Sequence, residues 1–173
     1  MTAKDLIHHK GYRNTTLADI ASESGVPLGN VYYYFKTKDD IASAVIKARV
    51  DEFLEWVAEC EGASDPEKSL TCFLDLLIEN SESVTNHGCP FGSLAQELCK
   101  AGGELAEQAR QLLQAQVDWV AKQYKRWGKE GPDGLALQLV STLQGISTLA
   151  STLNRPEIIA QQIKILKTSL KAL

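Results

Sequence analysis

The fold is decided by residues 16–40, which read TLADIASESGVPLGNVYYYFKTKDD. The segment opens with a capping box, in which the Thr16 hydroxyl accepts from an early backbone N–H and Asp19, at the third helical position, pairs with the threonine in return. Apolar residues of one helix face follow, up to Gly25, which can adopt the left-handed conformation that ends a helix. Pro27 then starts a second helix. The pattern predicts two short helices joined by a tight turn.

Two helices joined in this way form a helix-turn-helix unit, whose second helix can enter the major groove of DNA. A further capping sequence, residues 37–40, opens a long helix after it. Val31 and Phe35 lie four residues apart and share one helix face, which predicts that they pack in the core together with Tyr34. A tyrosine-rich helix can serve packing alone, so this helix by itself leaves DNA contact open.

The rest of the chain is helical in pattern. Apolar residues recur at intervals of three and four, and the period-two alternation of a strand does not persist. Ile46, Val50, Phe53 and Val57 trace one such stripe, which another helix must cover. Breaks with glycine or proline separate the stripes at residues 65–66, 88–90, 102–103, 131–132 and 154–156. The sequence predicts an all-α chain of about nine helices, with a three-helix helix-turn-helix head and a helical body.

Charge is distributed unevenly along the chain. Residues 1–50 carry seven basic and five acidic side chains, whereas residues 51–173 carry eleven basic and seventeen acidic ones. The acidic part disfavours contact with a phosphate backbone, because like charges repel. A mildly basic head on an acidic body therefore suggests two tasks rather than one.

Composition points to a cytoplasmic protein without a membrane partner. Of the 173 residues 44% are hydrophobic and 23% charged, which is ordinary for a globular protein. No apolar run reaches the roughly 18 residues that a membrane-spanning helix needs, and the first residues lack the basic-then-apolar pattern of a secretory signal. The four cysteines show no C-x-x-C spacing, which favours reduced thiols over a disulfide framework; they are Cys60, Cys72, Cys89 and Cys99.

Residues 11–21, GYRNTTLADIA, and residues 25–39, GVPLGNVYYYFKTKD, resemble the DNA-binding signature of TetR-type transcriptional regulators. The resemblance implies a DNA-binding domain over residues 1–47 and a ligand-binding and dimerisation domain over residues 48–173. It also implies a non-enzymatic homodimer without a cofactor, most often a repressor that a small-molecule effector releases from double-stranded operator DNA. The family's first helix normally begins earlier, so either the true start lies upstream or this helix is shortened.

The family pattern also implies which residues meet DNA. These are Pro27, Leu28, Gly29, Asn30, Tyr32 and Tyr33. Thr16 and Lys38 join them because they lie at predicted helix N-termini, where backbone N–H groups and a side-chain donor can hold phosphates. The Asn30 amide can pair with adenine N6 and N7, and the tyrosines offer hydroxyls for phosphates and rings for thymine methyl groups. Residues 26–35 contain no lysine or arginine, so the common arginine contact to guanine is unavailable in this helix. We therefore expect few phosphate contacts and a shallow salt dependence of binding.

The resemblance places an effector pocket among the middle helices and a dimer interface on the last two, at about 132–153 and 156–172. Pocket candidates are Phe53, Trp56, Phe73, Leu77, Phe91, Leu94, Leu98, Trp119 and Gln123, each of which can instead be a core residue. Interface candidates are Leu139, Leu143, Ile146, Leu149, Ile159, Ile163, Leu166 and Leu170. The alternative for the last two helices is that they close a monomeric core.

Residues 86–94, NHGCPFGSL, are similar to a segment of TetR-type members that sense lipophilic or electrophilic compounds. Cys89 is a reactive thiol if a helix N-terminus lowers its pKa, and otherwise a buried, inert cysteine. His87 and Cys89 lack further ligands nearby, so no metal site is predicted. Two other classes of protein stay open, a helical interaction module and an enzyme with a vestigial helix-turn-helix head. The sequence offers no nucleophile–base pair or phosphate-binding loop for the enzyme.

Overall fold

The computed structural model describes residues 2–61 and 65–172. This part of the chain forms α-helices and no strand, which confirms the all-α prediction and comes close to the expected count. The ten helices are α1 (Ala3–Lys10), α2 (Leu17–Ser24), α3 (Leu28–Tyr34), α4 (Lys38–Glu61), α5 (Pro66–Glu79), α6 (Ser81–His87), α7 (Gly92–Ala101), α8 (Gly103–Arg126), α9 (Pro132–Thr152) and α10 (Glu157–Lys171).

The helices begin where the predicted caps place them. The Asp65 carboxylate accepts a hydrogen bond of 3.0 Å from the backbone N–H of Glu67, and Pro66 is the first residue of α5. Pro132 likewise opens α9, directly after Gly131 with its φ of +61°. Aspartate satisfies an N–H that has no partner within the helix, and proline has no N–H to satisfy.

Contacts divide the chain into two compact units. Unit 1 combines Met1–Glu52 with Pro90–Leu113, and unit 2 combines Phe53–Cys89 with Gln114–Leu173. The domain boundary expected after residue 47 lies within α4 and stays a prediction.

Unit 1 holds its short first helix by burial and by charge. Leu6 and Ile7 are buried, at 0% and 4% exposure. Lys4 Nζ lies 2.7 Å from Glu52 Oε1 on α4, and Glu52 Oε2 lies 3.1 Å from Arg49 Nη1. Arg49 also donates to the Lys4 carbonyl at 3.4 Å. Although α1 has only eight residues, these contacts fix it to α4.

Unit 2 buries the apolar faces of α5, α9 and α10. Helix α10 packs against α5 and α9, and α6 packs against α9. Fully buried residues supply this core, namely Leu70, Leu74, Ala136, Ala150, Ile159 and Ile163. Glu61, at the end of α4, accepts from Trp119 Nε1 at 2.7 Å, from Lys122 Nζ at 3.0 Å and from Gln123 Nε2 at 2.9 Å. The Lys122 hydrogen bond is the main cause that lowers the pKa of Glu61.

Unit 2 also contains a disulfide between Cys60 and Cys72, whose Cα atoms lie 5.6 Å apart. The expectation that all four cysteines are reduced thiols is therefore wrong. Cys60 lies in the last turn of α4 and Cys72 in α5, and the Ser69 hydroxyl of α5 donates to the Cys60 carbonyl at 3.0 Å. The two helices bring the cysteines together, which no sequence spacing rule describes. Cys89 and Cys99 are outside the disulfide.

Two kinds of feature are absent from residues 2–61 and 65–172. Within these ranges no helix has the length and apolarity needed to cross a bilayer. The same ranges contain no group of three or more His, Cys, Asp or Glu side chains that could hold a metal ion.

Candidate nucleic-acid interface

The helix-turn-helix forms as its capping signals predict. The Thr16 hydroxyl donates to Asp19 Oδ2 at 2.6 Å and accepts from the Asp19 backbone N–H at 3.1 Å. Asp19 Oδ2 accepts in return from the Thr16 backbone N–H at 2.8 Å. Gly25 ends α2 in the left-handed conformation, with φ +71° and ψ 11°. Pro27 precedes the first residue of α3. The turn therefore fixes the direction in which α3 leaves α2.

Helix α3 presents tyrosines to solvent. Val31 is its only buried side chain, with 6% exposure, whereas Tyr32, Tyr33 and Tyr34 are 48%, 72% and 76% exposed. The prediction that Tyr34 packs in the core is therefore wrong. The helix ends at Tyr34, and the following residue, Phe35, is extended and half-buried. Because the chain leaves the helix there, Phe35 takes the inward position and Tyr34 remains outside.

Most of the residues expected to meet DNA share one accessible segment. Six of the eight, all exposed, lie at the start of α3 or on it: Pro27, Leu28, Gly29, Asn30, Tyr32 and Tyr33. A Cβ atom added at Gly29 would meet nothing within 4 Å, so the surface there is open. Thr16 is exposed beside the N-terminus of α2, and Lys38 is half-buried at the N-terminus of α4. This segment therefore exposes the amide of Asn30, the phenols of Tyr32 and Tyr33 and the apolar side chain of Leu28 close to one another in sequence.

The lysines next to α3 are engaged by the protein itself. Lys36 Nζ donates to the carbonyls of Tyr32 and Tyr33, at 2.9 and 3.0 Å, and so caps the C-terminus of α3. Lys38 Nζ donates to the Arg13 carbonyl at 3.0 Å and lies 4.3 Å from the centroid of the Tyr12 ring. Both lysines thus use their ammonium groups to bind backbone carbonyls of the protein. Their positive charges nevertheless lie in the sequence segment that directly follows α3.

One residue that the sequence did not single out contacts the turn between α1 and α2. Glu97 of α7 accepts hydrogen bonds from the backbone N–H groups of Tyr12, at 2.8 Å, and of Arg13, at 2.7 Å. Tyr12 also donates its hydroxyl to Asp39 in the first turn of α4. Burial, and then this hydrogen bond, raise the pKa of the Tyr12 phenol. No local motif announces Glu97, because its partners lie more than eighty residues away in sequence.

The predicted pocket residues are mostly interior. In unit 2 the rings of Phe53 and Phe73 lie 6.0 Å apart, and those of Phe73 and Trp119 lie 5.3 Å apart, measured between centroids. Gln123 is fully buried, and its Oε1 accepts from Arg126 at 2.8 Å. Trp56 and Leu77 are half-buried. In unit 1, Phe91, Leu94 and Leu98 are buried, at 5%, 6% and 0% exposure.

Cys89 lies in the connection that precedes α7. It is half-buried, and Gln144 Nε2 of α9 approaches its Sγ at 3.5 Å. A sulfur atom is a weak acceptor, so this contact orients the amide more than it binds it.

Most of the predicted dimer residues face the interior of the chain. Six of the eight are buried at 6% exposure or less: Leu139, Leu143, Ile146, Ile159, Ile163 and Leu170. Leu166 is half-buried and Leu149 is 54% exposed. Other apolar side chains of this region are exposed, namely Leu137 of α9 at 56%, Leu153 directly after α9 at 53% and Ile165 of α10 at 55%.

Comparison with known proteins agrees with this arrangement. Residues 2–45 match the family model described as bacterial regulatory proteins, tetR family. The chain is similar to an uncharacterized HTH-type transcriptional regulator of Bacillus subtilis (strain 168), YfiR, at 27% identity over 152 residues, 88% of this chain and 72% of that protein. It is 33% identical over 98 residues to the HTH-type transcriptional regulator LmrA of the same organism, covering 55% of this chain and 52% of that protein.

The whole fold also has a solved counterpart. A TetR transcriptional regulator from Legionella pneumophila superposes with a TM-score of 0.86 at 21% identity, covering 96% of this chain and 91% of that one. The matched residues 2–45 contain the helix-turn-helix, the domain through which the protein binds DNA. Through residues 2–45 the chain carries the DNA-binding domain of the TetR family of bacterial transcriptional regulators, a family of DNA-binding proteins and not of enzymes.

Proposed function

We propose that this DNA-binding regulator is a ligand-responsive repressor, which binds operator DNA as a homodimer and is released by a small lipophilic or electrophilic molecule. The observation that carries the proposal is the outward face of α3, where three consecutive tyrosines are 48%, 72% and 76% exposed. Exposed aromatic surface of this extent is characteristic of a site that another molecule covers. In this proposal the covering molecule is operator DNA, whose major groove receives α3.

The groups on this face suit base reading more than phosphate binding. The Asn30 amide has one donor and one acceptor, the pair that adenine N6 and N7 require. Leu28, 40% exposed, can contact thymine methyl groups. The tyrosine hydroxyls can donate to phosphates at the groove edge. Because α3 has no cation, its specificity rests on these contacts and on DNA shape.

The homodimer is supported by the outer side of α9. Its exposed residues recur at helical spacing and combine leucine with small residues that permit close helix approach: Gly134, Leu137, Ser141, Gly145 and Leu149. Exposed apolar residues on a helix need a partner, and a second copy supplies a symmetric one. Two recognition helices in such a dimer would read half-sites about 34–36 Å apart.

The ligand class is supported by the predicted pocket residues. The ring of Phe73 contacts those of Phe53 and Trp119, and Gln123, four residues after Trp119 on α8, is a buried amide. Apolar walls with few polar groups favour a lipophilic molecule. Cys89 would supply the sulfur atom with which an electrophile reacts. An effector that binds here and lowers operator affinity would do so with a coupling of about 1–3 kcal/mol.

The proposal is tested with DNA that the wild-type protein enriches from a random duplex library. Asn30→Ala and Tyr33→Ala should each weaken binding to this DNA roughly tenfold or more, since a lost base contact costs about 1–3 kcal/mol. Leu54→Ala, at an exposed leucine of α4 in unit 2, is the control and should bind like wild type. Unchanged affinity of both α3 variants, or a strictly monomeric protein by sedimentation, would contradict the proposal.

A further inference from the structure

The turn between α1 and α2 is held by a carboxylate from a distant part of the chain. Glu97 Oε2 accepts from the Tyr12 N–H at 2.8 Å, and Glu97 Oε1 accepts from the Arg13 N–H at 2.7 Å. Both oxygens of one carboxylate thus bind two consecutive backbone amides. Hydrogen bonds to a charged acceptor are stronger than those between neutral groups.

Gly11 supplies the backbone conformation that precedes the two bonded amides. Its φ of +82° is a conformation that other residues rarely adopt, and a Cβ atom at this position would lie 3.4 Å from Glu97 Oε2. Gly11 also ends α1, donating its N–H to the Ile7 carbonyl at 2.9 Å. The end of α1 and the contact with Glu97 therefore depend on the same backbone geometry.

The opposite side of the turn is fixed to the start of α4. Lys38 Nζ donates to the Arg13 carbonyl at 3.0 Å, and the Tyr12 hydroxyl donates to Asp39. The N–H groups of the turn thus point to α7 while its carbonyl is held by α4. Because α3 leads into α4 after only three residues, a shift of this turn changes the setting of α3.

We propose that Glu97 is a positioning residue for DNA binding: by holding the Tyr12 and Arg13 amides it fixes the orientation of α3 toward the operator. The proposal rests on the proposed use of α3 as the DNA-contacting helix. Helix α7 lies in unit 1 with the helix-turn-helix, so Glu97 acts within one compact body.

The sign of the effect separates positioning from charge. Removing an acidic side chain near DNA reduces repulsion of the phosphates and by itself strengthens binding. Loss of the two hydrogen bonds weakens it, because the turn and α3 then adopt a wider range of orientations. Glu104, exposed in the first turn of α8 and also in unit 1, is the matched control, since it carries the same charge and its removal leaves the turn intact.

The test compares Glu97→Ala, Glu97→Gln and Glu104→Ala on the full chain, with the enriched duplex as probe. Glu97→Ala should bind roughly tenfold more weakly or worse, and the exchange of the Tyr12 and Arg13 amide protons should become at least about tenfold faster. Glu97→Gln keeps one acceptor oxygen and should lie between Glu97→Ala and wild type in both measurements. Glu104→Ala should bind as well as wild type or better, with unchanged exchange at both amides.

Several results would overturn the inference. Glu97→Ala binding as tightly as Glu104→Ala would mean that the residue acts through its charge alone. Faster amide exchange with unchanged affinity would mean that the contact holds the turn without positioning α3. If Glu97→Ala does not fold, Glu97→Gln decides by the same two measurements. Loss of binding in Tyr33→Ala combined with wild-type binding in both Glu97 variants would reject this inference and leave the proposed function standing.

Discussion

The head segment, residues 11–40, and the body helices α5, α9 and α10 are stabilised in different ways. Every residue from 22 to 30 is exposed, and α3 buries only Val31. The head segment is held by directional hydrogen bonds, in the capping boxes and from Glu97 and Lys38. The body helices instead bury long apolar faces; α9 alone has seven buried residues.

The difference follows from what each region has to leave uncovered. A surface that binds another molecule cannot be buried, so its geometry must come from bonds between polar groups at its edges. Burial of apolar side chains contributes more free energy than such bonds but fixes direction less sharply. Apolar substitutions in the body helices should therefore affect stability, and polar substitutions in the head segment should affect geometry and DNA binding.

The largest expected effect is a loss of stability in the body helices. Leu74 of α5 is 0% exposed, and Leu74→Ala should lower the free energy of unfolding by about 2–5 kcal/mol, since it removes buried carbon atoms and leaves a cavity. Tyr34→Ala, at 76% exposure on α3, should change it by no more than about 0.5 kcal/mol. Urea unfolding of the two variants measures both values. Equal losses would show that the two regions are not stabilised differently.

The next effect concerns the disulfide in unit 2. Cys60 and Cys72 are twelve residues apart, and closing a loop of this length stabilises a protein by about 3 kcal/mol through the unfolded chain. A thiol reductant should lower the free energy of unfolding of the wild-type protein by about that amount. It should not affect the double variant Cys60→Ala, Cys72→Ala, whereas Cys99→Ala, at an exposed cysteine, should respond like wild type. An equal response in all three would contradict the bond.

The head segment was predictable because its signals are local and agree with one another. Thr16 and Asp19 specify the start of α2, Gly25 specifies its end and Pro27 specifies the start of α3, each from within a few residues, and the structure confirms all four. The outward direction of Tyr34 was not predictable in the same way. In a helix of seven residues with three tyrosines in succession, periodicity cannot decide which ring faces inward.

Contacts between distant residues were not predictable from the sequence. Glu97 and Tyr12 are 85 residues apart, and nothing in the sequence near Glu97 distinguishes it from the other helical acids. The predicted dimer residues illustrate a different limit. Apolar periodicity identifies the face of α9 that is buried, as at Leu139 and Leu143, but does not say which helix buries it. In this structure helices of the same chain bury this face of α9. The exposed face of α9 combines small residues with leucine.

The smallest expected effect is the acid sensitivity of the head segment. The Thr16 hydroxyl, followed by the Thr16 backbone N–H, lowers the pKa of Asp19 below 3.8, the ordinary value for aspartate. Because the pKa of Asp19 is lower in the folded state, its ionised carboxylate stabilises the fold fully at pH values above the pKa of an aspartate in the unfolded chain, about 3.9. This stabilisation is lost as the pH falls through the lowered pKa of the folded state. Urea unfolding between about pH 5 and pH 3 should show this decline in wild type and a shallower one in Asp19→Asn.

The control for that decline is Asp133→Asn, which removes an exposed aspartate from the first turn of α9. Both aspartates lie near a helix N-terminus, where a negative charge is favoured, but only Asp19 belongs to a capping box. If hydrogen bonds at the edges of the head segment fix it, Asp19→Asn should flatten the acid decline more than Asp133→Asn. An equal change in both variants would assign the decline to the interaction of the carboxylates with the helix dipole. The statement that hydrogen bonds fix the head segment would then be wrong.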